Sequence, residues 1–218
     1  AENERTRALA AEPLDALDPQ TGRPWAWHLT TVHADAALAL VPGGRGVPVG
    51  IIDTGADVRQ ADIGPVIGVA GSVIPGGDPR RDRVGHGTFV AGIIAAVADG
   101  HGTRGVAGPT PLIVVKANRA STIGTLDAAR AVVWAVDHGA RVLNLSYSSG
   151  CPVSGTELRS LEYAVRRDVL VVASAGNEGE DGNPIECPAA WLGASRGAWS
   201  RGLSVGASTP SGARAPFS

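Results

Sequence analysis

Two residues set the chemistry open to this chain. Asp53 closes the apolar run Val49-Gly50-Ile51-Ile52, and His86 stands between two glycines at the head of Gly85-His86-Gly87-Thr88-Phe89-Val90-Ala91-Gly92. A carboxylate at the end of a buried strand is costly unless it is paired. Turn amides and an imidazole proton are suitable partners. Imidazole is the usual general base near neutrality because its unperturbed pKa is about 6.5. A carboxylate on one ring nitrogen fixes the tautomer and stabilises the imidazolium. A helix N-terminus opposes positive charge on the ring, so His86 needs that carboxylate all the more. A third segment, Ala173-Ser174-Ala175-Gly176-Asn177-Glu178-Gly179, offers the side-chain amide of Asn177 as a donor to a developing oxyanion. Taken singly, Asp53 and Asn177 also fit ordinary turn roles. Taken together, the three segments point to acid/base chemistry. His28, His33, His101 and His138 have no comparable setting and read as packing or capping residues.

The elements that must position these groups alternate in type. Apolar runs at Val47 to Ile52, Leu112 to Lys116, Arg141 to Leu145, Val169 to Ala173 and Leu203 to Ala207 predict strands. Runs this apolar suit parallel strands covered on both faces. Helices are predicted between them. Thr88 to Ala98 is small and apolar on every side and should be deeply buried. Leu126 to His138 carries an apolar stripe and stops at Gly139. Thr156 to Arg167 places Leu158, Leu161 and Val165 on one stripe, with Thr156 as the expected N-cap. Such alternation means an α/β domain with a mainly parallel central sheet flanked by helices. In an open parallel sheet, ligand chemistry gathers at the carboxyl ends of the strands. Asp53, the segment Ser146 to Ser149, and Gly176-Asn177 each fall just past a strand end. The mixed-sign stretch Pro79-Arg80-Arg81-Asp82-Arg83 reads as solvated loop.

Composition narrows the partners. The chain has 218 residues, 44% of them hydrophobic, which fits one large folded domain. A net charge of -2 gives no electrostatic reason to expect nucleic acid or an anionic membrane. No apolar run approaches the ~20 residues of a membrane span. Residues 1–24 are polar, Ala-rich and broken by Pro13, Pro19 and Pro24, so an N-terminal arm or pro-segment remnant is expected before a domain covering 25–218. Cys151 and Cys187 are the only cysteines. They read as one disulfide, and hence as a sign of export. Two buried thiols, or a nucleophilic pairing of a cysteine with His86, are the competing readings.

Residues 25–218 resemble the subtilisin-like serine proteases, the subtilases. The resemblance rests on Ile51-Ile52-Asp53-Thr54-Gly55, on Gly85-His86-Gly87-Thr88-Phe89-Val90-Ala91-Gly92 and on Ala175-Gly176-Asn177-Glu178-Gly179, in that order. Phe89 departs from the pattern, since many relatives carry a second histidine there. The resemblance implies a three-layer subtilisin-like fold and an Asp-His-Ser triad with Asp53 as orienting acid, His86 as base and Asn177 as oxyanion donor. No cofactor is expected; calcium is common in that family, but Asp57, Asp62, Asp78 and Asp82 form no dense run and fit loop roles equally well, so no metal site is assigned. Asn144-Leu145-Ser146-Tyr147-Ser148 resembles the strand that walls the primary specificity pocket, with Ser146, Tyr147, Ser148, Ala175 and Gly176 as expected substrate contacts. Ile185-Glu186-Cys187-Pro188-Ala189 resembles the segment closing its other side. The family's nucleophile segment does not occur before Ser218, and Ser208 and Ser218 lie in unsuitable settings. The expectation is therefore a secreted serine endopeptidase acting on peptide or protein, whose serine lies on the C-terminal remainder of the same polypeptide. This chain alone is expected to be inactive. The alternative is a peptide-binding module without catalysis.

Overall fold

The structure, a computed structural model, describes residues 26–41, 46–99, 103–118, 122–193 and 202–218. The expected N-terminal arm and His101 lie outside them. Two short helices, α1 (Trp27–Thr31) and α2 (Ala34–Leu40), come first. The described elements then run β1 (Val49–Asp53), a 3-10 turn (Gly64–Val66), β2 (Ile67–Ser72), α3 (His86–Ala95), β3 (Leu112–Lys116), α4 (Thr125–Asp137), β4 (Val142–Leu145), β5 (Ser149–Gly150), α5 (Gly155–Arg166), β6 (Leu170–Ser174), β7 (Glu186–Cys187), α6 (Ala189–Gly193) and β8 (Gly202–Val205). Six strands form one parallel sheet in the order β2-β3-β1-β4-β6-β8. The remaining pair, β5 and β7, is antiparallel and separate.

Why the central strands read as unbroken apolar runs is clear from their two faces. Ile51, Leu112 and Val114 pack with Val90, Ala91 and Ala95 of α3 in one cluster. Ile52, Ile113 and Val115 turn the other way and pack with Ala131, Val132 and Ala135 of α4 and Leu161 and Ala164 of α5. Alternate side chains of each strand thus fill two cores. The result is the expected three-layer α/β fold, with helices on both faces of the sheet.

β1 lies at the topological switch point. The next strand to pair with it, β3, joins one side, and β4 joins the other. Ligand sites in open parallel sheets form outside the carboxyl end of such a strand. Asp53 is the last residue of β1.

Two expectations need correction. The N-cap of α5 is Ser154 rather than Thr156: its hydroxyl accepts from Glu157 N at 3.2 Å. Ser154-Gly155-Thr156-Glu157 has the capping-box spacing, which outranks the local choice of Thr156. The second correction is β2, which the sequence reading missed. Gly68 and Gly71 dilute its pattern, and as an edge strand it leaves Val69 exposed. Gly71 is required because the Trp134 ring of α4 occupies the space a side chain would need.

Candidate active site

The end of β1 and the start of α3 are built as one unit. Asp53 is 5% exposed. Its Oδ1 accepts from Thr54 N at 2.7 Å and, more weakly, from Thr54 Oγ1 at 3.3 Å. His86 Nδ1 lies 2.8 Å from Oδ1 and 2.9 Å from Oδ2 of the same carboxylate. The His86 side chain is 43% exposed, whereas its partner is buried. An acid shielded from water thus holds a ring that is itself partly exposed. That arrangement commits Nδ1 to the carboxylate and leaves Nε2 as the nitrogen suited to proton transfer.

Gly85 and Gly87 make this approach feasible. Gly85 adopts φ 93° at the N-cap of α3, a conformation that favours glycine. Gly87 N donates to Thr54 Oγ1 at 2.9 Å. A methyl group at Gly87 would fall 3.1 Å from both Cβ and Oδ1 of Asp53, and closer still to Gly55 O. The second glycine therefore serves the packing of helix against turn, in addition to any room it leaves for substrate.

Three further residues hold the unit, and none was singled out from the sequence. Asp82 was expected in a solvated loop; the arginines around it are exposed, but Asp82 itself is half-buried and turned inward. Its Oδ1 accepts from Val84 N at 3.0 Å and Gly85 N at 2.9 Å, and its Oδ2 from Thr88 N at 2.9 Å and Thr88 Oγ1 at 2.8 Å. It satisfies amides at the start of α3 and sets a negative charge against the helix dipole. Thr88 Oγ1 in turn accepts from Asp57 N at 3.0 Å, in the segment after β1. Lys116 ends β3 in register with Asp53. It is buried, and its Nζ donates to Thr54 O and to Arg81 O, the latter at 3.3 Å. The available signal was a single Lys ending the run Leu-Ile-Val-Val.

Among the other acidic residues, Asp57 binds Arg59 through Nε at 2.9 Å, and this pairing draws its carboxyl below the usual aspartate range. Asp62 Oδ2 accepts from Thr103 N at 3.1 Å. Among the described residues no group of three or more His, Cys, Asp or Glu side chains could hold a metal ion.

The other expected site residues gather on the same edge of the sheet. β1, β4 and β6 are parallel neighbours, so Ser146, Ala175, Gly176 and Asn177 follow strand ends on the side where Asp53 lies. Asn177 is exposed and follows Gly176, whose φ is 109°. Ser146 Oγ accepts from Asn144 Nδ2 at 2.8 Å. Ser148 is exposed. The Tyr147 side chain packs on the core, and its hydroxyl donates to Glu157 Oε1 at 3.2 Å. Burial and the neighbouring carboxylate push the Tyr147 phenol upward, and burial raises Glu157, with the Tyr147 bond working against that rise. Cys151 and Cys187 are joined, with Cα atoms 5.3 Å apart, which settles the choice against free thiols. The chain's last residues run beside the Asn177 loop: Gly179 N donates to Phe217 O at 2.7 Å. Ser218 Oγ accepts from Ala207 N at 2.8 Å.

Comparison with known proteins decides the family. The subtilase family model matches residues 44–218. The chain belongs to the subtilase family. It is 36% identical over 195 residues to Subtilisin Savinase of Lederbergia lenta, covering 88% of this chain and 66% of that protein. An alkaline protease of Shouchella clausii is also 36% identical, with 88% of this chain and 47% of that protein covered. This subtilase chain therefore spans about half to two-thirds of the length of these relatives. In fold it is similar to the nisin leader peptidase NisP from Lactococcus lactis, with a TM-score of 0.70, 22% identity, and coverage of 88% of this chain and 64% of that one.

Proposed function

We propose that this chain is the larger part of the catalytic domain of a secreted subtilisin-type serine endopeptidase. The observation that carries the reading is the buried Asp53 carboxylate set 2.8 Å from His86 Nδ1 at the switch-point strand end. Extended peptide adds along Ser146 to Ser148 by main-chain hydrogen bonds. A serine beyond Ser218 attacks the scissile carbonyl carbon, and its hydroxyl proton passes to His86 Nε2. Asp53 keeps the ring in the right tautomer and stabilises the imidazolium. Asn177 donates to the oxyanion. In subtilisin itself, loss of such a donor lowers turnover by ~10²–10³. Collapse expels the amine, which takes the proton from His86, and water then repeats the sequence to free the acid. The contact between Gly179 and Phe217 supports this reading, because chain continuing from Ser218 starts beside Asn177. The disulfide supports export. No helix among the described residues is long and apolar enough to cross a membrane.

Without the serine the chain should be inert; in subtilisin the loss is on the order of 10⁶ in turnover. The test is to label the full-length protein with a peptidyl phosphonate and map the adduct by mass spectrometry. One modified serine beyond residue 218, absent in His86→Ala, is expected. A native species that takes no label yet binds peptide would overturn the reading in favour of a non-catalytic module.

A further inference from the structure

A carboxylate stands where the primary specificity pocket is expected. Glu186 belongs to the segment Ile185 to Ala189, which the family resemblance assigns to one wall of that pocket, with Ser146 to Ser148 assigned to the other. It pairs with Gly150 across β5 and β7, and the Cys151–Cys187 disulfide fixes that pair one residue further on. Its side chain lies against Gly176, between the Ala175 and Asn177 positions of the proposed site. A methyl group at Gly176 would fall 2.7 Å from Glu186 Cγ and 3.8 Å from its Cδ. The side chain is half-buried. The residues expected on the other wall, Ser146, Tyr147 and Ser148, are neutral, and Ser174 Oγ donates to Tyr147 O at 3.5 Å.

We propose that Glu186 is the residue that sets specificity for the side chain preceding the scissile bond, and that it selects a cation, arginine or lysine. This inference rests on the endopeptidase reading above. A partly desolvated carboxylate strengthens hydrogen bonds from a charged donor. The same carboxylate repels an acidic side chain. It is left with a desolvated charge against a neutral apolar one, so discrimination comes from both the favoured and the rejected substrate. The guanidinium can meet the carboxylate with two parallel N–H donors, so arginine should exceed lysine.

The experiment uses the full-length protein and four peptides alike except at that position: arginine, its neutral isostere citrulline, norleucine and glutamate. Wild type should cleave the arginine peptide on the order of 10–100-fold better in kcat/KM than the citrulline peptide, a scale set by charge-assisted pairing. Glu186→Gln should erase that ratio and raise norleucine turnover relative to arginine, and Glu186→Lys should shift preference to glutamate. Equal cleavage of the arginine and citrulline peptides, or a preference that survives Glu186→Gln, would overturn the proposal. Equilibrium binding of products ending in arginine or citrulline reads the pocket without hydrolysis. Discrimination in binding with no cleavage of any peptide supports Glu186 and sinks the endopeptidase reading. Cleavage without discrimination does the reverse.

Discussion

Replacing Gly87 by alanine should destabilise the protein although alanine is the better helix former. Gly87 is the second residue of α3, where a Gly→Ala change alone gains at most ~1 kcal/mol. Against that stands the added methyl, 3.1 Å from Asp53 Cβ and closer to the Gly55 carbonyl, neither of which is the end of a flexible side chain. Overpacking of this kind costs ~1–3 kcal/mol. The net expectation is a loss of about 1–2 kcal/mol. Relief requires α3 to draw back from the Asp53 turn by roughly 1 Å, because the Gly55 carbonyl lies far inside contact distance of the new methyl, and this stretches the His86–Asp53 contact from 2.8 Å. A misplacement of ~1 Å can cost 10²-fold in rate, so a loss on the order of 10²-fold in kcat is expected here. Gly92, five residues along α3, is the internal control. A methyl there meets only Thr103 Cγ2, at the ordinary distance of 3.7 Å. Gly92→Ala should stabilise by ~0.5–1 kcal/mol and leave kcat alone. The assay is urea unfolding of the full-length wild type and both variants, with peptide turnover measured on the same preparations. A Gly87→Ala protein as stable and active as Gly92→Ala would refute the claim that the helix start and the Asp53 turn are in hard contact.

Three other perturbations address separate parts of the structure. Asp53→Asn in the full-length protein should lower turnover on the order of 10⁴-fold with the fold kept, as circular dichroism would show; near-normal turnover would reject the assigned role. Replacing both Cys151 and Cys187 by serine opens a loop whose ends are 36 residues apart, and unfolding by urea should show a loss approaching about 4 kcal/mol. Glu157 is 4% exposed and burial raises its carboxyl in the folded state, so its contribution to stability is present below the unfolded-state pKa and is lost as pH rises through the folded one. Glu157→Gln should therefore gain stability relative to wild type on going from pH 4 to pH 8 in thermal unfolding, and a constant difference would contradict the assignment.

Much of the architecture was legible because two-sided burial writes itself as unbroken apolar runs. Leu112 to Lys116 was read to the residue, and Gly139, with φ 95°, stops α4 as its type requires. Where burial is one-sided the signal fades, as at β2 with its two glycines and exposed Val69. Asp53 and His86 were legible because their neighbours constrain the backbone. The hydrogen bonds that fix them join residues far apart in sequence, such as Thr54 to Gly87, Asp57 to Thr88 and Lys116 to Thr54, and no local pattern encodes such pairs.

Those distant bonds fall into two sets that hold different parts of the site. The Asp53–His86 pair is held by the β1 turn, the Asp82 loop, Lys116 and the packed start of α3. The walls expected to hold substrate are held by β5, β7 and the disulfide, and by the Ser174–Tyr147 contact. The two sets of restraints share no residue. Sites without shared partners combine nearly additively. Changes at Gly87 or Asp82 should thus act on kcat with the preference among peptides intact. Changes at Glu186 or the cysteines should alter that preference and KM while the geometry of the Asp–His pair stays as it is. A double variant joining Gly87→Ala with Glu186→Gln should show the product of the two single effects, and marked departure from that product would mean the two halves are coupled through contacts other than these.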